Sequence, residues 1–283
     1  MKIAISGSTG FIGRTLVSSF RKQNWTVQPL SRNDFVDISR LAEKIDGADV
    51  LIHLAGAPII RRWTRLYKQE IYSSRVITTR MLANAIQACR NRPGLFISTS
   101  ASGAVKQNSV AGENDAERDI GFIGDLCSDW EKEALAVGEI TRVVVCRLSV
   151  VLDPREGALH QMLWAFKLGI AGPIGSGQQI FSWIHIDDLV NAYHHIIQNE
   201  SVTGVVHLAS PMIVTNAEYT RALGRVLGRP TIIPVPVFFL KLFYGAAASV
   251  IAGGQGIIPE KLIKSGFQFQ FPRLEEALRN LLT

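Results

Sequence analysis

The chain opens on MKIAISGSTGFIGR, in which a short apolar run, KIAI, is followed at once by glycines at positions 7, 10 and 13. Few local patterns restrict a fold more. A buried strand must end at Gly7 in a turn only glycine makes easily, and a helix must begin close enough for Gly13 to pack against that strand. Gly10 leaves space for backbone to approach a pyrophosphate, which would rest on the unsatisfied N–H groups of the helix start. Ser8, Thr9, Phe11 and Ile12 complete the turn and the first helical positions. The trio alone is a weak signal, but here a strand precedes it and an amphipathic pattern (Phe11, Ile12, Leu16, Val17, Phe20) follows it.

The rest of the chain repeats the strand-helix alternation. Apolar runs at 2–6, 26–31, 49–56, 94–101 and 141–152 are separated by helical patterns near 11, 38–45, 64–91 and 126–138. Nearly continuous apolar strands spaced by helices predict an α/β fold, a Rossmann-type doubly wound parallel sheet. Residues 1–152 form the expected dinucleotide-binding domain, which a strand at 204–209 could also join. Residues 153–283 form the expected smaller, mostly helical substrate-side lobe.

The second strand ends in Ser31, Arg32 and Asn33, about 20 residues beyond the trio, where the adenosine ribose is read. An acidic residue there would suit the free hydroxyls of NAD; a guanidinium suits a 2′-phosphate, so the expected cofactor is NADP.

Composition narrows the partners. With 283 residues, 47% apolar and 19% charged, the chain can bury a sizeable core. Its charge of +6 is dispersed, without the basic-aromatic periodicity of a nucleic-acid binder, and fits an anionic small ligand. Three scattered cysteines (89, 127, 146) give neither a disulfide framework nor a zinc site, and Met1 runs straight into a strand, so a cytoplasmic location is expected. The apolar segment 237–254 contains Lys241 and falls short of a membrane span; it reads as a buried or interface helix.

Further motifs carry a resemblance. GxxGxxG, Asp37-Ile38, HLAG at 53–56 and STSA at 98–101 resemble the extended branch of the short-chain dehydrogenase/reductase superfamily, the NAD-dependent epimerase/dehydratase type. SR at 74–75, CSDWEKEA at 127–134, GPIGSGQQIFSWIHIDDL at 172–189 and GFQFQFPRLEEAL at 266–278 resemble its YfcH-like epimerase family proteins, whose family-specific C-terminal segment would be about 234–283. The resemblance implies that Asp37 accepts from the adenine amine with Ile38 beside the ring, that Leu54, Ala55 and Gly56 line the adenosine ribose and phosphate side, and that Ser100 faces the nicotinamide. It also implies a small-molecule substrate, such as a sugar nucleotide, and a homodimer.

The superfamily's proton chemistry uses a tyrosine whose hydroxyl is made acidic by a lysine four residues later. Aligned on Glu131, this chain has Ile123 and Cys127 there. Ser100 can orient a carbonyl; Cys127, Asp125 and His185 are the remaining candidates, Cys127 if a cation lowers its pKa and His185 as a pocket-lining residue. Asp125 and Asp129 also suit the start of a helix, Asp187 and Asp188 suit helix capping, and no metal site is expected. Arg75 and Arg147 read equally as anion contacts or structural ion pairs. Two functions follow: an NADP-dependent oxidoreductase or epimerase-like enzyme with a non-standard site, or a catalytically silent NADP-binding redox sensor or partner-binding protein.

Overall fold

The computed structural model describes residues 1–114 and 117–283. The first half runs β1 (Lys2–Ser6), α1 (Phe11–Lys22), β2 (Thr26–Leu30), α2 (Ile38–Ile45), β3 (Val50–His53), α3 (Arg65–Tyr72), α4 (Thr78–Ala88), β4 (Leu95–Ala101), β5 (Val110–Ala111), α5 (Phe122–Leu135) and β6 (Arg142–Leu148). Next come β7 (Val150–Leu152), α6 (Gly157–Lys167), β8 (Ile180–Phe181), β9 (Trp183–His185), α7 (Ile186–Gln198) and β10 (Gly204–Leu208). The chain closes with β11 (Val214–Thr215), α8 (Asn216–Leu227), α9 (Val237–Tyr244), α10 (Ala248–Ala252), β12 (Gly256–Ile257), α11 (Glu260–Lys264) and α12 (Leu274–Leu282).

Six strands form one parallel sheet in the order β10-β6-β4-β3-β1-β2. Its central strands are apolar on both faces because both faces are covered. Ile3, Ile5, Ile52, Ile97 and Val144 pack against Leu16 and Phe20 of α1 and Leu189, Tyr193 and Ile196 of α7. Ala4, Leu51, Phe96 and Val145 pack against α2, α4 and α5 through Leu41, Leu82, Ile86 and Ala134. Strand order reverses between β1 and β3, and the crevice outside their C-terminal ends is where an open α/β sheet takes its ligand.

The later strand does join the sheet, pairing with β6 from Gly204↔Val144 to Leu208↔Leu148, and α7 returns with it. The second lobe is therefore smaller than residues 153–283; its own core gathers Leu152, Leu159, Trp183, Tyr219, Leu223, Ala277 and Leu278. Two helices start elsewhere than the pattern implied. α5 begins at Phe122, one turn before 126, and 64–91 is α3 and α4 joined by a π-turn at Ser73–Ile77. Within the apolar segment 237–254, Gly245, at φ 59°, ends α9; no residue of α9 is buried, with Phe238 and Phe243 69% and 70% exposed, whereas Ala247 and Ala248, later in the segment, are buried. Among the described residues no helix is long and apolar enough to cross a membrane.

Candidate functional site

At the end of β1 Gly7 makes the turn and Gly13 the close packing that their spacing implied. Gly7 sits at φ +75°, and a Cβ there would lie 2.8 Å from the Ala55 nitrogen and the Leu54 carbonyl carbon. A Cβ on Gly13 would overlap the Gly7 carbonyl. Gly10 N–H donates to Gly7 O at 3.0 Å and serves as N-cap of α1 without a side-chain cap or any acid in the first turn, which leaves that helix start open to an anion. Phe11 lies against Gly157, and Ile12 packs on the core beneath. Ser8 is half-buried and Thr9 exposed at the turn's rim; the Thr9 carbonyl accepts from Arg14, which also pairs with Glu156 of the second lobe. Leu54 and Ala55 form the facing wall, and Gly56 rests on the Arg75 guanidinium.

The end of β2 holds a residue that the sequence reading passed over. Asp34 accepts from the Ser31 N–H and Oγ–H at 2.7 and 2.8 Å, and Arg40 lies 3.6 Å away. The Ser31 backbone bond, foremost, holds this carboxyl below the usual aspartate value despite burial. The nearest acid is therefore committed to its own turn, while Arg32 is exposed and, among the described residues, makes no ion pair. The Ser-x-x-Asp spacing of a capping box was the available signal. Asp37 caps α2 by accepting from Arg40 N–H at 3.0 Å, with Ile38, 36% exposed, beside it.

At the end of β4 the side chains of three neighbouring elements meet. Ser100 Oγ–H donates to Glu131 Oε1 at 2.6 Å; Arg147 grips the same carboxylate through Nε and Nη2, each at 2.8 Å. Arg147 is thus an ion-pair residue, and Glu131, used in the sequence only to set the alignment, stands at the centre of the cluster. Cys127, one turn before Glu131, is buried between them. Burial, then the Glu131 charge, push its thiol up to about 12, outweighing a Ser100 hydrogen bond and the Arg75 and Arg147 charges, so it is a neutral thiol and not the activated one a nearby cation would give. Ile123 lies against Gly103, so an alkyl group occupies the tyrosine position.

The other candidates have different partners. Asp125 is exposed and pairs with Arg118 at 2.9 Å, whereas Asp129 accepts from the Tyr72 hydroxyl at 3.0 Å, well inside α5. His185 does not line an open pocket. It is 1% exposed, stacked on Phe271 at 4.0 Å; Nδ1 accepts from Asp187 N–H, capping α7, and Nε2 meets Asn280. Asp188 is no cap, for its carboxylate accepts from the backbone N–H groups of Gln270 and Phe271 and pins the C-terminal segment. His53 is fully buried between Ser6 and Thr78, and burial brings its pKa to about 3. Arg75 donates to Ala57 O at 2.9 Å, lies over Trp130 and, among the described residues, has no carboxylate partner. Those residues hold no cluster of three metal-capable side chains.

Known proteins share this sequence pattern and fold. Residues 3–209 match the NAD dependent epimerase/dehydratase family, and residues 235–281 match a domain of unknown function, DUF1731. Mouse epimerase family protein SDR39U1 is 37% identical, with both chains fully covered. The crystal structure of human epimerase family protein SDR39U1 (isoform 2) with NADPH superposes at TM-score 0.93, 33% identical over 99% of each chain. A Corynebacterium glutamicum nucleoside-diphosphate sugar epimerase superposes at TM-score 0.80, 27% identical, over all of this chain and 58% of that one. The chain belongs to the NAD-dependent epimerase/dehydratase family, among the epimerase family proteins, of the extended short-chain dehydrogenase/reductase type, that carry this C-terminal domain.

Proposed function

We propose that the chain is an NADP-dependent oxidoreductase or epimerase-like enzyme whose site works without a tyrosine-lysine pair. The observation that carries this reading is the pairing of a glycine turn, in which a Cβ at Gly7 or Gly13 would strike backbone, with an Arg32 that makes no ion pair among the described residues, the neighbouring Asp34 being spent on Ser31. Bound there, the cofactor would supply hydride transfer. Gly7 to Gly13 would hold its pyrophosphate, Arg32 its 2′-phosphate, Asp37 and Ile38 its adenine, Leu54 to Gly56 its ribose side, and Ser100 would face the nicotinamide. That human SDR39U1 was solved with NADPH supports this assignment.

The substrate is a small molecule, with sugar nucleotides first to test because a structural relative is a nucleoside-diphosphate sugar epimerase. A cytoplasmic homodimer is the working assembly. Ile123 and the neutral Cys127 favour the second reading, a silent NADP-binding sensor or partner-binding protein. Turnover separates the two: protein that binds NADPH at micromolar levels yet leaves it unoxidised across carbonyl and nucleotide-sugar panels is the sensor, whereas oxidation with one of them establishes the enzyme.

A further inference from the structure

Apart from Lys241, α9 carries only apolar and aromatic side chains, VFFLKLFY, yet it lies on the surface. A helix so composed is ordinarily enclosed, by a core or by lipid. Val237, Leu240 and Tyr244 form its inner side and are half-buried, with Val237 against Gly175. Phe238, Phe239, Leu242 and Phe243, at i, i+1, i+4 and i+5, share the outer side, and each is at least half exposed.

The adjoining segments extend this ridge. Ile232 and Ile233, just before α9, are at least half exposed, and their segment runs beside 169–175: Pro230 meets Gly169, Val235 N–H donates to Pro173 O and Gly175 N–H to Val235 O, each at 2.9 Å. Trp164 and Leu168, at the end of α6, are more than half exposed as well. Cations border these residues. Lys241 stands at the edge of the outer side of α9, Arg62 lies against Gly245 where the helix ends, and Lys167 and Arg229 lie on the adjoining segments. All four are exposed and, among the described residues, form no ion pair. No acid in their own segments answers them, for 50–69, 157–186 and 219–259 contain neither aspartate nor glutamate. Glu117 and Asp119 approach only the far end, where Gln107 packs on Gly253.

We propose that this face of the second lobe docks on an anionic lipid surface, with α9 lying in the headgroup plane and its outer phenylalanines in the acyl layer. The inference is independent of the NADP reading. Eight residues rise only about 12 Å, so the helix lies along the interface and does not cross it. From the edge of the face, the Lys241 ammonium can reach headgroup phosphates while its stem stays among the apolar side chains. Arg62, Lys167 and Arg229 add to the attraction. Charge selects this occupant over a second copy, since a twofold contact through this face would set the same cations against one another with no carboxylate of these segments between them. Shape selects it over a protein partner. A partner would need a groove cut to a protruding aromatic ridge, whereas a fluid bilayer takes such a ridge without one.

Co-sedimentation of the full chain with vesicles tests this. Vesicles of phosphatidylcholine and phosphatidylglycerol in equal parts are expected to bind it about tenfold more tightly than phosphatidylcholine alone, and the preference should fade between about 0.05 and 0.5 M salt. Phe238→Ser/Phe243→Ser is expected to weaken binding to the mixed vesicles about 100-fold, and Lys241→Gln about fivefold. The three positions are exposed, so both variants should unfold at the wild-type temperature. Absence of binding to mixed vesicles, equal binding to both kinds, or a double phenylalanine variant that binds like wild type overturns the proposal. Sedimentation velocity without lipid decides against the second copy: an assembly unchanged by Phe238→Ser/Phe243→Ser supports the lipid surface, whereas a dimer that this variant splits overturns it.

Discussion

Arg147 and Glu131 face each other in parallel, Nε to Oε1 and Nη2 to Oε2 at 2.8 Å each, with side chains only 13% and 10% exposed. Such a fork joins β6 to α5 behind Ser100 with a geometry lysine cannot reproduce. Removing one partner strands a buried charge, whereas removing both leaves an apolar gap that packing can fill. Glu131→Ala is therefore expected to cost about 3–5 kcal/mol of unfolding free energy, and the double variant Glu131→Leu/Arg147→Met much less. Urea denaturation at neutral pH measures both; equal losses in the two variants would contradict the account.

This cluster marks the boundary of what the sequence makes legible. The glycine turn is contiguous, so its spacing, read with the strand before it and the helical pattern after it, is legible in the sequence. Ser100, Glu131 and Arg147 lie 31 and 16 positions apart and meet only once β4, α5 and β6 are side by side. Arg147 by itself reads equally as an anion contact or an ion-pair residue until Glu131 is placed. The segment 237–254 stays open for another reason: apolar composition is the same for a helix in a core and for one, like α9, that leaves Phe238 and Phe243 exposed. His185, Asp187 and Asp188 cluster by letter, yet one caps α7 and another fastens residues 270–271.

The Ser31-Asp34 turn predicts a pH dependence. The carboxyl of Asp34 lies below its ordinary value, first because it accepts from Ser31 N–H and also from Ser31 Oγ–H. A lowered folded-state value means that the contribution is complete above the unfolded value, about 4, and is lost as pH falls through the lower folded one. Asp34→Ala should destabilise the chain by about 1 kcal/mol at pH 7, with the difference from wild type shrinking as pH falls below about 4. Urea midpoints of both proteins at neutral and acid pH check this; a gap that widens on acidification would refute it.

Gly13 tests the cradle by bulk alone. Because an added methyl would overlap the Gly7 carbonyl, and that atom is backbone at a turn with φ +75°, neither neighbour can yield by a side-chain rotation. Gly13→Ala is expected to cost about 1–3 kcal/mol and to abolish NADPH binding, while Gly47→Ala, where φ is +67° but the surrounding space is open, should leave binding unchanged. Thermal unfolding and nucleotide titration of the two variants separate cradle damage from general backbone strain.

The assignment of Arg32 to a 2′-phosphate predicts how the chain separates the two nicotinamide cofactors. Arg32 is exposed at the end of β2, outside the salt bridges formed among the described residues, and the acid that could have served an NAD ribose is held by Ser31. A phosphate contact by a guanidinium contributes through charge-assisted hydrogen bonds, about 1.5–3 kcal/mol where they are well formed. Arg32→Ala should then weaken NADPH binding by about 10- to 100-fold and leave NADH affinity within about twofold, since NADH has no 2′-phosphate to lose. Parallel titrations of wild type and variant with both nucleotides measure this. Equal weakening of the two would place Arg32 on the shared part of the cofactor, and an unchanged NADPH affinity would remove it from the site.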